Sequence, residues 1–315
     1  MKKLIEREPA ARSAPVAAPA LAVQFFLIPL AVVGVTVLVY AGFRSLVADD
    51  RTPEDYLAEI HAGGTNRRWP AAYELSRLMA DPEVRADPAL GPALVEAFEA
   101  AKDDDPRVRR YLALAFGRLD PPLPPGALAR LTEALDDPEP DTRISVIWAL
   151  GSSGDPTVVA PLIAVFASGD AGVRKMVVYA LGALPGDAQL DTLRTALEDD
   201  AVDVRWNAAV ALARHGNREG LPVLRQMLDR AHVEQVVTRD AREYADEDPV
   251  ADVMISGVRA IAALNEPALR DLVVDLSRTD RSLKVRQAAI EALEALKATD
   301  HGSALWTGTT KGSHG

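Results

Sequence analysis

Histidine and cysteine, which serve as bases, nucleophiles and metal ligands, are sparse or missing in this 315-residue chain. Its five histidines, His61, His215, His232, His301 and His314, are followed by Ala, Gly, Val, Gly and Gly, so none has a neighbouring acid after it. There is no cysteine, which removes disulfides, thiolate metal sites, iron-sulfur clusters and a cysteine nucleophile together. The stretch 231–252 gathers Glu234, Asp240, Glu243, Asp246, Glu247, Asp248 and Asp252 near His232, but without any recognised ligand spacing, that of a calcium loop included. Gly151-Ser152-Ser153-Gly154 has neither the lysine of a phosphate loop nor the spacing of a serine elbow, and reads as a turn. The expectation is therefore no catalytic residue, no metal and no cofactor.

Two kinds of side chain do recur. Aligning the leucine of each helical segment (Phe116 in one) brings Arg68, Arg109, Arg143, Arg174, Arg205, Gly257 and Arg286 to one position. Such a column has two readings: a ladder for an anionic partner, or a structural one in which each arginine pairs with acids such as Asp105, Asp141, Asp170 or Asp203. The second is preferred, because an aspartate precedes the arginine by two to four residues in those units and also suits a helix N-terminus. Aromatics cluster one and five residues after the arginine, at Trp69, Tyr73, Trp148, Tyr179 and Trp206. On a helical wheel these two columns lie ~40° apart and more than ~100° from the Val/Ala/Leu stripe. They are expected either to form an aromatic groove for a peptide or helix of a protein partner, or to pack between neighbouring units.

These columns require helices of constant length and offset. Between Asp/Pro/Gly punctuation the chain carries helix-length apolar segments, predicted as seven pairs: 54–62 with 67–80, 90–101 with 106–119, 124–136 with 140–151, 156–167 with 170–184, 187–198 with 201–215, 217–230 with 250–264, and 266–278 with 282–297. The arginine positions are spaced 41, 34, 31, 31, 52 and 29, so the period is 31 and the 52 is one period plus an insertion of 21. A helix pair of this kind cannot bury its apolar face alone, and stacking is required. The fold class is all-α, an α-solenoid over 54–297 with an insertion at 231–252 and a disordered tail at 298–315.

The units DDPEPDTRISVIWALGSSGD, DAGVRKMVVYALGALPGD and DDAVDVRWNAAVALARHGN resemble HEAT repeats, of the short kind first described in phycobilisome lyases. The resemblance implies a binding surface more than any one activity. Dimetal hydroxylases of this fold hold iron through His-Glu pairs, which the five histidines lack. The reductases with a HEAT-like tail need cysteine-ligated clusters, and the DNA glycosylases of the fold need a basic face. A bilin-lyase-like enzyme or a chaperone for a prosthetic group is the alternative function that the resemblance leaves open.

Net charge is -11, and -13 once residues 1–19 are set aside, which disfavours nucleic acid as a partner. Residues 1–19 read as a flexible basic and Ala/Pro-rich tail. They are followed by 20–43, a run without charge that is long enough for a transmembrane helix, and a linker at 44–53. Val39 and Ala41 would suit a signal-peptide cleavage site, but the run exceeds the ~7 to 15 residues of a signal peptide's apolar core. Four Lys/Arg precede the run, and only Arg44 and Arg51 follow closely, which places the N-terminus in the cytoplasm and the solenoid outside. The expected protein is a single-pass membrane adaptor that binds protein partners of a membrane complex.

Overall fold

The computed structural model describes residues 28–47, 51–237 and 248–307. The chain divides into two units, residues 1–52 and 53–315. In the first, α1 (Ile28–Val47) leaves Leu30, Leu38 and Val39 largely open, at 67%, 73% and 66% exposure. Among the described residues no helix is long and apolar enough to cross a membrane. The expected span of 20–43 is met only in part: 20–27 lie outside the described residues, and α1 carries the run from Ile28 to Phe43 before reaching Arg44.

Among the described residues the second unit is built of seven helix pairs and contains no strand. The pairs are α2 (Pro53–Ala62) with α3 (Thr65–Leu78), then α5 (Leu90–Ala100) with α6 (Pro106–Phe116), after the short α4 (Pro82–Arg85). Next come α7 (Ala127–Glu133) with α8 (Pro140–Ser152), α9 (Val159–Ser168) with α10 (Ala171–Leu181), and α11 (Leu190–Ala196) with α12 (Val202–Arg214). The last two are α13 (Leu221–Met227) with α15 (Pro249–Leu264), between which stands α14 (Arg230–Val236), and α16 (Arg270–Thr279) with α17 (Leu283–Thr307). Thus α17 runs past 297, and part of the tail expected over 298–315 is helical; 308–315 lie outside the described residues. Of the insertion, α14 and the start of α15 are described, whereas Asp240, Glu243, Asp246 and Glu247 fall outside.

Each second helix packs along the next, in the row α3, α6, α8, α10, α12, α15 and α17, while successive first helices touch far less beyond α7. A stack held closer on one side bends toward it, so the second helices form its inner row. The close spacing comes from small residues. Eight residues after the arginine stand Gly117, Gly151 and Gly182, and a Cβ added there would lie 2.2 Å from the Trp148 ring, 2.6 Å from Ala180 Cβ and 2.6 Å from Ala211 Cβ. Val204, Ala208, Ala211 and Leu212 of α12 are fully buried against the preceding units, as their period demands. The opposite face of α12, Trp206, Ala209 and Ala213, begins a second apolar core that continues to α17.

The inter-helix turns follow from the aspartates. Asp105 and Asp170 accept backbone N–H bonds at the starts of α6 and α10, and Asp155 does so after Gly154, whose φ of 67° turns the chain; of the turn expected at 151–154, Gly151 and Ser152 still belong to α8. Asp141 and Asp203 do not cap. They sit inside the first turns of α8 and α12 and receive Arg110 (2.7 Å) and Lys175 (3.4 Å) from the preceding second helix.

Candidate functional site: the inner face at α10, α12 and α15

The arginine column is an inter-unit clamp. Arg68 meets Asp104 at 2.9 Å, Arg109 meets Asp137 at 3.3 Å, Arg143 meets Asp170 at 3.7 Å, and Arg174 makes two bonds to Asp199, of 2.7 and 2.8 Å. Each acceptor belongs to the following unit and stands four to six residues before that unit's arginine. The acid expected from the sequence is right only at Asp170; Asp104, Asp137 and Asp199 replace Asp105, Asp141 and Asp203. Arginines of the column also donate to turn carbonyls of their own unit, Arg143 to Asp137 O at 2.8 Å, Arg205 to Asp199 O at 2.6 Å and Arg174 to Gly169 O at 3.0 Å. One guanidinium thereby satisfies the turn before it and grips the turn after it.

Hydrogen bonding from Arg174, against the cost of burial, holds the Asp199 carboxyl below the usual aspartate range, and the same pairing raises Arg174. A depressed folded-state pKa contributes stability that is present above the unfolded pKa and lost as pH falls through the folded one. Asp199→Asn is therefore expected to lower stability at neutral pH by about 1–3 kcal/mol, the range for losing bonds to a charged partner. The gap to wild type should close in denaturant titrations carried below the unperturbed aspartate pKa of about 3.9. An equal gap at pH 7 and pH 2.5 would deny the clamp its ionic character.

Two members of the column depart from it. Among the described residues Arg205 finds no carboxylate in the next unit, where Gly257 occupies the arginine position. The joint after that, which Gly257 cannot clamp, is made by Arg230 of α14, which the repeat pattern does not single out and which donates to both oxygens of Asp280 at 2.9 and 2.6 Å. Arg286 stands at the end of the stack and, among the described residues, has no ion-pair partner.

The aromatic columns are divided by the structure. Trp69 lies under the Arg107 guanidinium at 4.4 Å, and Tyr73 meets Tyr111 edge-on at 5.1 Å, so both contact the next second helix, although Tyr73 stays 38% exposed. Trp148 is half-buried against Gly117. Tyr179 is 41% exposed with Arg214 over its ring at 5.4 Å. Trp206 is 5% exposed and belongs to the second apolar core, so of the two expected arrangements it has the packing between units. The reason is the start of α15, at Pro249, eight residues before Gly257, whereas α6, α8, α10 and α12 begin three residues before their arginines. The additional turn, with Asp252 and Val253, lies beside Trp206.

There the inner face opens into a cavity of about 350 Å³ across α10, α12 and α15. Met176, Val210, Met227, Val253 and Trp206 give it an apolar lining, and Tyr179, Lys175, Asp203, Asn207, Arg214, Asp252 and Ser256 supply the polar groups. Lys175 and Asp203 neutralise one another, and among the described residues Arg214 has no ion-pair partner. His61 contacts Leu57 O at 2.8 Å, and His215 contacts Leu181 O at 3.2 Å beside the fully buried Gln189. Among the described residues no group of three or more His, Asp or Glu has the arrangement of a metal site.

Comparison with known proteins bears on the stack and not on the cavity. The HEAT-repeat family matches residues 92–174 and 159–245. Residues 92–245 thus match HEAT repeats. No curated protein matches this sequence. Among solved structures, human deoxyhypusine hydroxylase in complex with glycerol is 20% identical, with 78% of this chain and 96% of that chain covered and a TM-score of 0.34. An engineered protein is 18% identical, with the same coverages and a TM-score of 0.37. Likeness at this level carries no argument about activity. These HEAT repeats extend across α10 and α12, so the Tyr179 side of the cavity is made by the regular part of the stack.

Proposed function

We propose that this HEAT-repeat chain is an adaptor that holds a segment of a protein partner on the inner row of second helices, with α10, α12 and α15 as its anchoring point, and that residues 20–43 attach it to a membrane. The observation that carries the binding reading is Tyr179. Trp206 in the same lining is covered, yet Tyr179 stays 41% exposed beside an apolar-lined cavity. Its phenol ring and the Arg214 guanidinium above it offer a partner a flat apolar surface and a charged edge at little conformational cost. The attachment reading rests on the uncharged run at 20–43 and on the exposed apolar side chains of α1.

The binding would be shape-based and multivalent along the row, with no chemistry performed on the partner. Recovery of the full chain from gently solubilised membranes should bring one protein partner in constant ratio. Recovery of the chain alone from the soluble fraction would contradict both parts of the proposal.

A further inference from the structure

The end of the stack carries a feature that the repeat makes legible. Four residues after the arginine, the side chain faces the next unit and is fully buried in the five regular repeats, at Ala72, Ala113, Ile147, Val178 and Ala209. The same position on the last second helix is Ile290, and it is 43% exposed. Two turns earlier on the same stripe is Leu283, at 72% exposure. Another regular unit does not fit there: the position of close helix approach, glycine in three earlier helices, is held by Glu294, whose side chain stands where a neighbouring backbone would have to pass.

The charges on this stripe are separated along the helix. Lys284 lies at its start, and Glu291 and Glu294 lie a few turns later, with Gln287 between them donating to Glu291 at 2.9 Å. A parallel neighbour of the same sequence would oppose like charges. An antiparallel one brings Lys284 of each helix to the acids of the other, sets Ile290 beside Gln287 of its mate across the axis, and aligns the helix dipoles favourably. A patch complementary to itself after a half-turn is the requirement for a closed, isologous pair.

We infer that the occupant of this face is a second copy of the chain, joined through antiparallel α17 helices about a two-fold axis near Gln287 and Ile290. The absence of natural cysteine gives a test without background. The full-length Gln287→Cys chain in mild detergent should form a covalent dimer rapidly under a copper-phenanthroline oxidant, whereas Arg278→Cys on α16 should not. Adding Ile290→Glu to the Gln287→Cys chain should slow its cross-linking about tenfold or more. Lys284→Glu should slow it as well, and the combination Lys284→Glu, Glu291→Lys and Glu294→Lys, which restores opposite charges, should recover it. Absence of a cross-link through position 287, or one that forms equally fast with Ile290→Glu present and is indifferent to the charge swap, would overturn the pairing. Capture of the partner through Tyr179 is read separately and is unaffected by either result.

Discussion

Gly151→Ala is expected to destabilise the chain by about 1–3 kcal/mol, the usual cost of an extra methyl in a packed contact. Helix propensity alone argues the reverse, since alanine in a helix interior is favoured over glycine by about 1 kcal/mol. Packing wins because a Cβ at 151 would lie 2.6 Å from Ala180 Cβ and 2.8 Å from Ala180 Cα, and a backbone atom cannot move aside without shifting α10 as a whole. The repeat makes the effect general. Gly182 meets Ala211 in the same way one unit later, so Gly182→Ala should cost a similar amount. Denaturant titration of each variant checks this, and an increase in stability for either would show that the inner row has slack.

The second large effect separates the two aromatics of the candidate site. Trp206→Ala removes the largest side chain at the start of the second core and is expected to cost about 3–5 kcal/mol, as for other buried tryptophans. Its damage should concentrate in the units after α12, because Ala209 and Ala213 on the same face are too small to fill the space. Amide exchange should accelerate first in α13, α15, α16 and α17. Tyr179→Ala should leave stability within about 0.5 kcal/mol of wild type, since its ring is open to solvent on one side. Equal losses for the two would mean that Tyr179 is a packing residue as well.

The repeated helices are legible because their signals are local. Positions equivalent to Val204, Ala208, Ala211 and Leu212 recur at helical spacing, and aspartates stand in the turns, so pair boundaries, the end of α17 apart, fall within a few residues of those expected. What acts between units is harder to read. The turns often carry two or three adjacent aspartates, as at 103–105, 136–137 and 199–200, and which of them receives an arginine depends on the offset between stacked units. Which of the two expected arrangements Trp206 takes is hidden for a related reason. Its own helix directs it outward as the wheel requires, but the longer α15 that follows the insertion covers it. The partners of the Arg230–Asp280 joint lie 50 residues apart in sequence and outside the period, so no repeat count would find it. The span expected at 20–43 rests on composition alone, and α1 reproduces only its second part.

The inner face at α10, α12 and α15 as a partner site is tested most directly by one comparison: capture of the membrane partner by the full chain and by its Tyr179→Ala variant, with the thermal transition of each recorded beside it. The expected result is capture by the wild type, capture reduced at least about tenfold in the variant, and transitions that coincide. Undiminished capture by a Tyr179→Ala chain that melts with the wild type would contradict the assignment.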